Sequence, residues 1–165
     1  VPKRDRFKLL KTGLRKGDEI VKFSTKGRYA LRMLLDLAEH RDSGFVALKE
    51  IASRQDISKQ YLEQIVSLLA GTDFLRSNRG KHGGYMLAKE PSQYSVGDIL
   101  RAADGSLAPI ACIEKNAASC QRASHCKTLY MWQGLEKVVA DYLDSITLQN
   151  ILDNANKGGE ADYVI

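Results

Sequence analysis

From residue 24 onward, apolar side chains recur at helical spacing. Ala30, Leu31, Leu34, Leu35 and Ala38 line one face of a first helix. Ser24 or Thr25 can cap its start, and Asp42-Ser43-Gly44 ends it. Leu48, Ile51 and Ala52 predict a short second helix over residues 48–55. After Asp56, Ser58 is placed as the N-cap of a third, where Leu62, Ile65, Val66 and Leu69 form an i, i+3, i+4, i+7 stripe. The short break between the second and third helices is the signature of a helix-turn-helix.

The period then changes. Phe74–Asn78 and Tyr85–Ala88 read as two short strands around Arg79-Gly80-Lys81-His82-Gly83-Gly84, a glycine-rich tip with interleaved cations. Ser95 with Asp98 predicts a fourth helix, and Gly105 is placed to stop it. A long helix over 128–144 carries Trp132, Leu135, Val139, Tyr142 and Ile146 at alternating spacings of three and four, a heptad seam that calls for a partner helix. Thr147 caps a last short helix. The expected fold is mainly α with a small β-hairpin wing, a winged helix-turn-helix plus a long dimerisation helix. Its expected organisation is a basic extension (1–22), the winged unit (23–105), a cysteine-containing loop (106–127), the dimerisation and last helices (128–156) and a tail (157–165).

Composition sharpens this picture in two places. Of 165 residues, 44% are hydrophobic and 27% charged, ordinary for a globular protein, and no apolar run has the length of a membrane span. The basic first residues lack the apolar core of a secretory signal. The net charge of +5 is unevenly spread. Residues 1–22 hold eight Lys/Arg against three Asp/Glu, residues 23–89 eleven against seven, and residues 90–165 six against ten. A basic first half is the electrostatic footprint of a nucleic-acid reader. All three cysteines, Cys112, Cys120 and Cys126, fall in one short polar segment. An odd, clustered count argues against a disulfide scaffold and for a reducing cytoplasm. No nucleophile has a base at fixed local spacing, and the glycines sit in a hairpin instead of opening a helix, so an enzyme is not expected.

Several ungapped motifs then occur in order: Ser24-Thr25-Lys26-Gly27-Arg28-Tyr29-Ala30-Leu31, Tyr61-Leu62-Glu63-Gln64, Arg79-Gly80 followed by Gly83-Gly84-Tyr85, and Val96-Gly97-Asp98-Ile99. Together they resemble the Rrf-two (Rrf2) family of bacterial winged-helix regulators, over roughly residues 21–156. Members usually begin with Met at the position of Val21, so residues 1–20 lie outside the family pattern. The resemblance implies a homodimer on a palindromic operator. Its third helix would present Ser58, Lys59, Gln60, Tyr61, Glu63 and Gln64 to the major groove. Arg79, Gly80 and Lys81 of the wing would meet the adjacent minor groove, and Lys26 and Arg28 the phosphates. Glu63 could accept from cytosine, and Gln60 or Gln64 could pair with adenine. Ala70-Gly71 stands where relatives often carry Arg-Lys.

The same resemblance places Cys112, Cys120 and Cys126 where cluster-binding members carry three cysteine ligands, implying an iron–sulfur cluster of the 2Fe–2S kind, with the fourth ligand open. Leu129 and Arg28 occupy positions where relatives have a histidine or an aspartate ligand; His125, His40 and Glu114 are the alternatives in this chain. A Cys3His zinc site, or a redox-reactive or inert thiol loop, is the other reading. The resulting expectation is a repressor of iron–sulfur cluster biogenesis or of cysteine and sulfur metabolism. The alternative is cluster-free control by cysteine synthase, held through Tyr163, Val164 and Ile165, since a terminal carboxylate and an Ile side chain suit a chain-end pocket.

Overall fold

Ser24 sets where the first helix begins in the computed structural model, which describes residues 23–80, 83–114 and 120–157. Its hydroxyl accepts from the amides of Lys26 and Gly27 at 3.0 and 3.2 Å, starting α1 (Thr25–Glu39). Of the two candidate caps, Ser24 is therefore the one used. Its amide and hydroxyl both donate to Asp104, far along the chain. A Cβ on Gly27 would collide with that carboxylate, which explains the glycine. Helices α2 (Leu48–Gln55) and α3 (Lys59–Leu69) are joined through Asp56, whose φ of 50° is left-handed. Aspartate is one of the few residues that tolerate that region.

The wing pairs β1 (Leu75–Asn78) with β2 (Gly84–Leu87) in antiparallel register, Leu75 opposite Leu87 and Asn78 opposite Gly84. Val46 adds a third rung by exchanging two 2.9 Å backbone hydrogen bonds with Tyr85. Gly84 permits this approach, since a Cβ there would overlap the Val46 carbonyl. The hairpin is closed at its base by Tyr94, fully buried. Its hydroxyl donates to the Phe74 carbonyl at 2.8 Å and accepts from the Lys89 amide at 2.9 Å.

Helix α4 (Val96–Asp104) is capped by Ser95, which accepts from the Asp98 amide at 3.0 Å, and ends at Gly105 with φ 84°. Two further helices follow, α5 (Leu129–Ser145) and α6 (Leu148–Asn156), the latter opened by a reciprocal Thr147–Asn150 box. The main core joins Met33, Leu34 and Leu37 of α1 to Ile51, Leu62, Ile65, Leu69, Ile99 and, from α6, Leu148. A smaller cluster of Val96, Leu100 and Leu143 holds α5 to α4.

The heptad expectation for α5 needs correction. Val139 and Ile146 pack against the smaller cluster of the same chain. The outward stripe is instead Met131, Leu135, Val138 and Tyr142, spaced four, three and four. The reason lies in how α5 is held. Gly97 lets Asp144 come close, Arg101 bonds both Asp98 and Asp144, and the Val96 amide donates to the Ile146 carbonyl at 2.8 Å. These ties turn the Val139–Leu143–Ile146 side inward and leave the adjacent side facing out.

Candidate nucleic-acid interface

Helix α3 presents its polar face to solvent. Ser58, Lys59, Gln60, Glu63 and Gln64 are exposed, while Leu62, Ile65 and Leu69 anchor the other face in the core. The Ser58 hydroxyl accepts from the Tyr61 amide at 3.2 Å, so that side chain caps the helix that it begins. Lys59 and Glu63 form an exposed i, i+4 pair at 3.2 Å. Tyr61 is half-buried, its ring meeting that of Tyr29 edge-on with centroids 5.3 Å apart.

Behind this face lies a polar network that sequence reasoning missed. Asp36 of α1 is 1% exposed and accepts two hydrogen bonds from Arg54, at 2.9 and 2.7 Å, and one from Gln55 at 3.1 Å. Burial pushes its carboxyl up. The hydrogen bonds from Arg54 and Gln55, with the charges of Arg54 and His40, outweigh that and hold it below the usual carboxylate range. Arg32, one turn earlier, bonds both the carbonyl and the side-chain oxygen of Gln55 and lies over the Tyr29 ring at 5.3 Å. The available signal was an acidic residue inside the apolar run Met33–Ala38, with two polar residues at the end of the next helix.

Three of the candidate phosphate and groove cations are solvent-exposed. Lys26 and Arg28 are exposed on the first turn of α1, and Arg79 is exposed where β1 runs into the wing tip. Gly80 has φ 109°, which an L side chain rarely adopts. Lys81 falls outside the described residues, as do Tyr163, Val164 and Ile165, the segment 1–22 and most of the tail. At the wing base Lys89 pairs with Asp73, and that hydrogen bond holds the Asp73 carboxyl low.

The three thiols are exposed. Cys112 lies on a 3₁₀ turn (Ala111–Ile113), and Cys126 follows another (Ala123–His125) immediately before α5. The Thr128 hydroxyl, 3.5 Å from its sulfur, and the Thr128 amide hold the Cys126 thiol below its ordinary value. Three accessible thiols are a donor set that suits a soft metal centre. Among the described residues, the grouping of three ligating atoms within 4.8 Å of one another is Asp36, Glu39 and His40, so the three sulfurs do not share that spacing. Asp36 is already satisfied by Arg54 and Gln55, which leaves that grouping a structural one. His125 takes its ring Nδ1 to within 2.8 Å of the Ser124 hydroxyl.

Two helices set by a tight turn, an exposed polar third helix, a hairpin wing and surrounding cations define a winged-helix DNA-binding protein. The chain belongs to the Rrf2 family of transcription regulators. Residues 23–154 match the family described as "Rrf2: Iron-dependent Transcriptional regulator". The HTH-type transcriptional regulator IscR of Pectobacterium atrosepticum is 37% identical over 142 residues, covering 86% of this chain and 85% of that one. Protein rrf2 of Nitratidesulfovibrio vulgaris is 37% identical over 136 residues, with 82% and 90% covered. Among solved structures, CymR, the global cysteine regulator of B. subtilis, superposes with a TM-score of 0.64 at 35% identity, covering 80% and 96% of the two chains. T. potens IscR superposes at 0.65 with 36% identity, covering 85% and 92%. The family and these relatives are transcription regulators, not enzymes, as the sequence led us to expect. No helix among the described residues is long and apolar enough to cross a membrane.

Proposed function

We propose that this protein is a homodimeric, cytoplasmic repressor of iron–sulfur cluster biogenesis or of cysteine and sulfur metabolism, and that the cysteine segment is its sensor. The observation that carries the reading is the position of Cys126, directly before a helix whose Met131, Leu135, Val138 and Tyr142 face outward. A second copy of α5 is the natural cover for a heptad-spaced apolar stripe. In such a dimer, the distance between the two α3 helices sets which half-site spacing fits.

Cys112, Cys120 and Cys126 would hold a cluster of the 2Fe–2S kind. When bound, it supplies occupancy that responds to iron and oxidants. The chain's own part is mechanical. Drawing the three thiolates together ties the Ala111–Ile113 turn to the start of α5. From α5 the Arg101 links to Asp98 and Asp144 reach α4, and Asp104 reaches the Ser24 cap of α1. Ligation thereby biases the pose of the reading helices. His125 and Glu114 are the nearby candidates for a fourth ligand.

Anaerobic reconstitution followed by iron, sulfide and absorbance measurements tests the sensor. Absorbance above about 400 nm is expected, and each Cys→Ala change should abolish it. Full iron content in the triple alanine variant would refute the assignment, and stoichiometric zinc in a colourless protein would reassign the site. The likeness to the B. subtilis global cysteine regulator favours a second reading, in which cysteine synthase docks Tyr163-Val164-Ile165 and no cluster is needed. Titrating the C-terminal decapeptide into cysteine synthase, with and without Ile165, decides it.

A further inference from the structure

Arg32 stands outside every residue set assigned to DNA contact, yet its guanidinium spans the junction on which the reading helix depends. Its Nε donates to the Gln55 side-chain oxygen at 3.2 Å and its Nη2 to the Gln55 carbonyl, the last of α2. A cation there meets the negative end of the helix and satisfies a carbonyl that the ended helix leaves without an intrahelical donor. The planar group lies over the Tyr29 ring, and that ring touches Tyr61 in the first turn of α3. Between them, the chain turns sharply through the left-handed Asp56.

We infer that Arg32 is a positioning residue for sequence reading: it fixes the angle between α2 and α3 through the Gln55 carbonyl and, through Tyr29, the seat of Tyr61. The inference rests on the DNA-reading role of α3. Geometry assigns this to arginine and not to charge in general. One fork bonds two oxygens while its cationic carbon sits over an aromatic ring at 5.3 Å, and a lysine ammonium can do only part of that. It also separates Arg32 from a phosphate contact, since two of its donors are already engaged within the protein. Asp36 holds the same end of α2 from the buried side, through Arg54 and the Gln55 side-chain amide, and Arg32 with Tyr29 holds the Gln55 carbonyl and side-chain oxygen.

The test starts by selecting a preferred duplex from a randomised library with the full-length wild-type protein. Binding to that duplex and to a scrambled duplex of equal composition is then measured across salt concentrations. Arg32→Lys should weaken the selected duplex about tenfold, the size of one lost base contact. The scrambled duplex should stay within about twofold and the salt slope unchanged, because no phosphate partner is lost. Tyr29→Leu should behave like Arg32→Lys, and Tyr29→Phe like wild type. Wild-type affinity in Arg32→Lys would overturn the inference. So would equal losses on both duplexes, a fall in Tm that tracks the affinity loss, or a salt slope in Arg32→Ala reduced by about one. A wild-type protein that enriches no motif would instead overturn the DNA-reading role itself, and the inference with it.

Discussion

Helices α1 and α5 are similar in length and opposite in company. The fifteen residues of α1 bury seven, from Gly27 to Ala38, and α1 packs against α2, α3, α4, α6 and β2. The seventeen residues of α5 bury one, Leu143, while Tyr130, Val138 and Tyr142 stay 81%, 66% and 64% exposed. At about 25 cal/mol per Å² of apolar surface, covering such a stripe would be favourable, and an apolar patch of this kind marks a candidate interaction surface. The contrast teaches that the molecule is finished in its DNA-reading half and unfinished along α5. The joint between them combines the apolar Val96–Leu100–Leu143 cluster with a close polar contact: Gly97 against Asp144, with Arg101 bridging.

The strongest way to break the contrast is to charge the unfinished side. Leu135→Asp with Val138→Asp should yield a monomer by light scattering, with the Tm of the reading unit little changed because neither residue enters either core cluster. Affinity for a palindromic duplex should fall on the order of a hundredfold, through loss of the linked second half-site. A variant that remains dimeric would show that the two copies meet elsewhere than on this stripe.

Next comes the finished half. Asp36→Asn removes the carboxylate that Arg54 and Gln55 share inside the core and should destabilise by about 2–3 kcal/mol, less than a fully buried pair because Arg54 reaches solvent. The hydrogen bonds from Arg54 and Gln55 hold the folded carboxyl below the usual aspartate range, against the upward push of burial. Its contribution is therefore complete above the unfolded value and is lost as pH falls through the lower folded one. Wild type should lose stability on acidification below about pH 4, and Asp36→Asn should lack that part of the slope. Urea melts at several pH values read both effects.

A smaller effect is expected at the wing base. Tyr94→Phe leaves the Phe74 carbonyl and the Lys89 amide without their shared partner and should cost about 1–2 kcal/mol in a urea melt. This tyrosine also marks the limit of what the chain discloses by itself. Helical periodicity and caps disclosed the helices, because Ser24, Ser58, Ser95 and Thr147 act locally. The hairpin was legible from its glycines. Long-range facts were not: the Val46 rung, the Tyr94 clamp and the Asp36–Arg54–Gln55 network join residues whose spacing carries no period. In the α5 seam, Leu135 and Tyr142 face outward as expected, while Val139 and Ile146 pack inward for the same reason. A heptad fits either of two neighbouring stripes, and only the tie to α4 selects one.

The smallest effect separates reading from folding on α3 itself. Glu63 is exposed and paired only with Lys59 on its own helix, at 3.2 Å. An exposed pair of this kind contributes less than about 0.5 kcal/mol, so Glu63→Ala should melt with wild type. If the carboxylate accepts from a cytosine amine, the same change should relax preference at one position of each half-site while leaving the salt slope intact. Arg79→Ala provides the contrasting control: a lower salt slope by about one, with that base preference kept. Selection from a randomised duplex library measures both. Unaltered preference in Glu63→Ala would make Glu63 ordinary helix surface and move base reading toward Gln60, Tyr61 and Gln64, on the side of α3 backed by Tyr29.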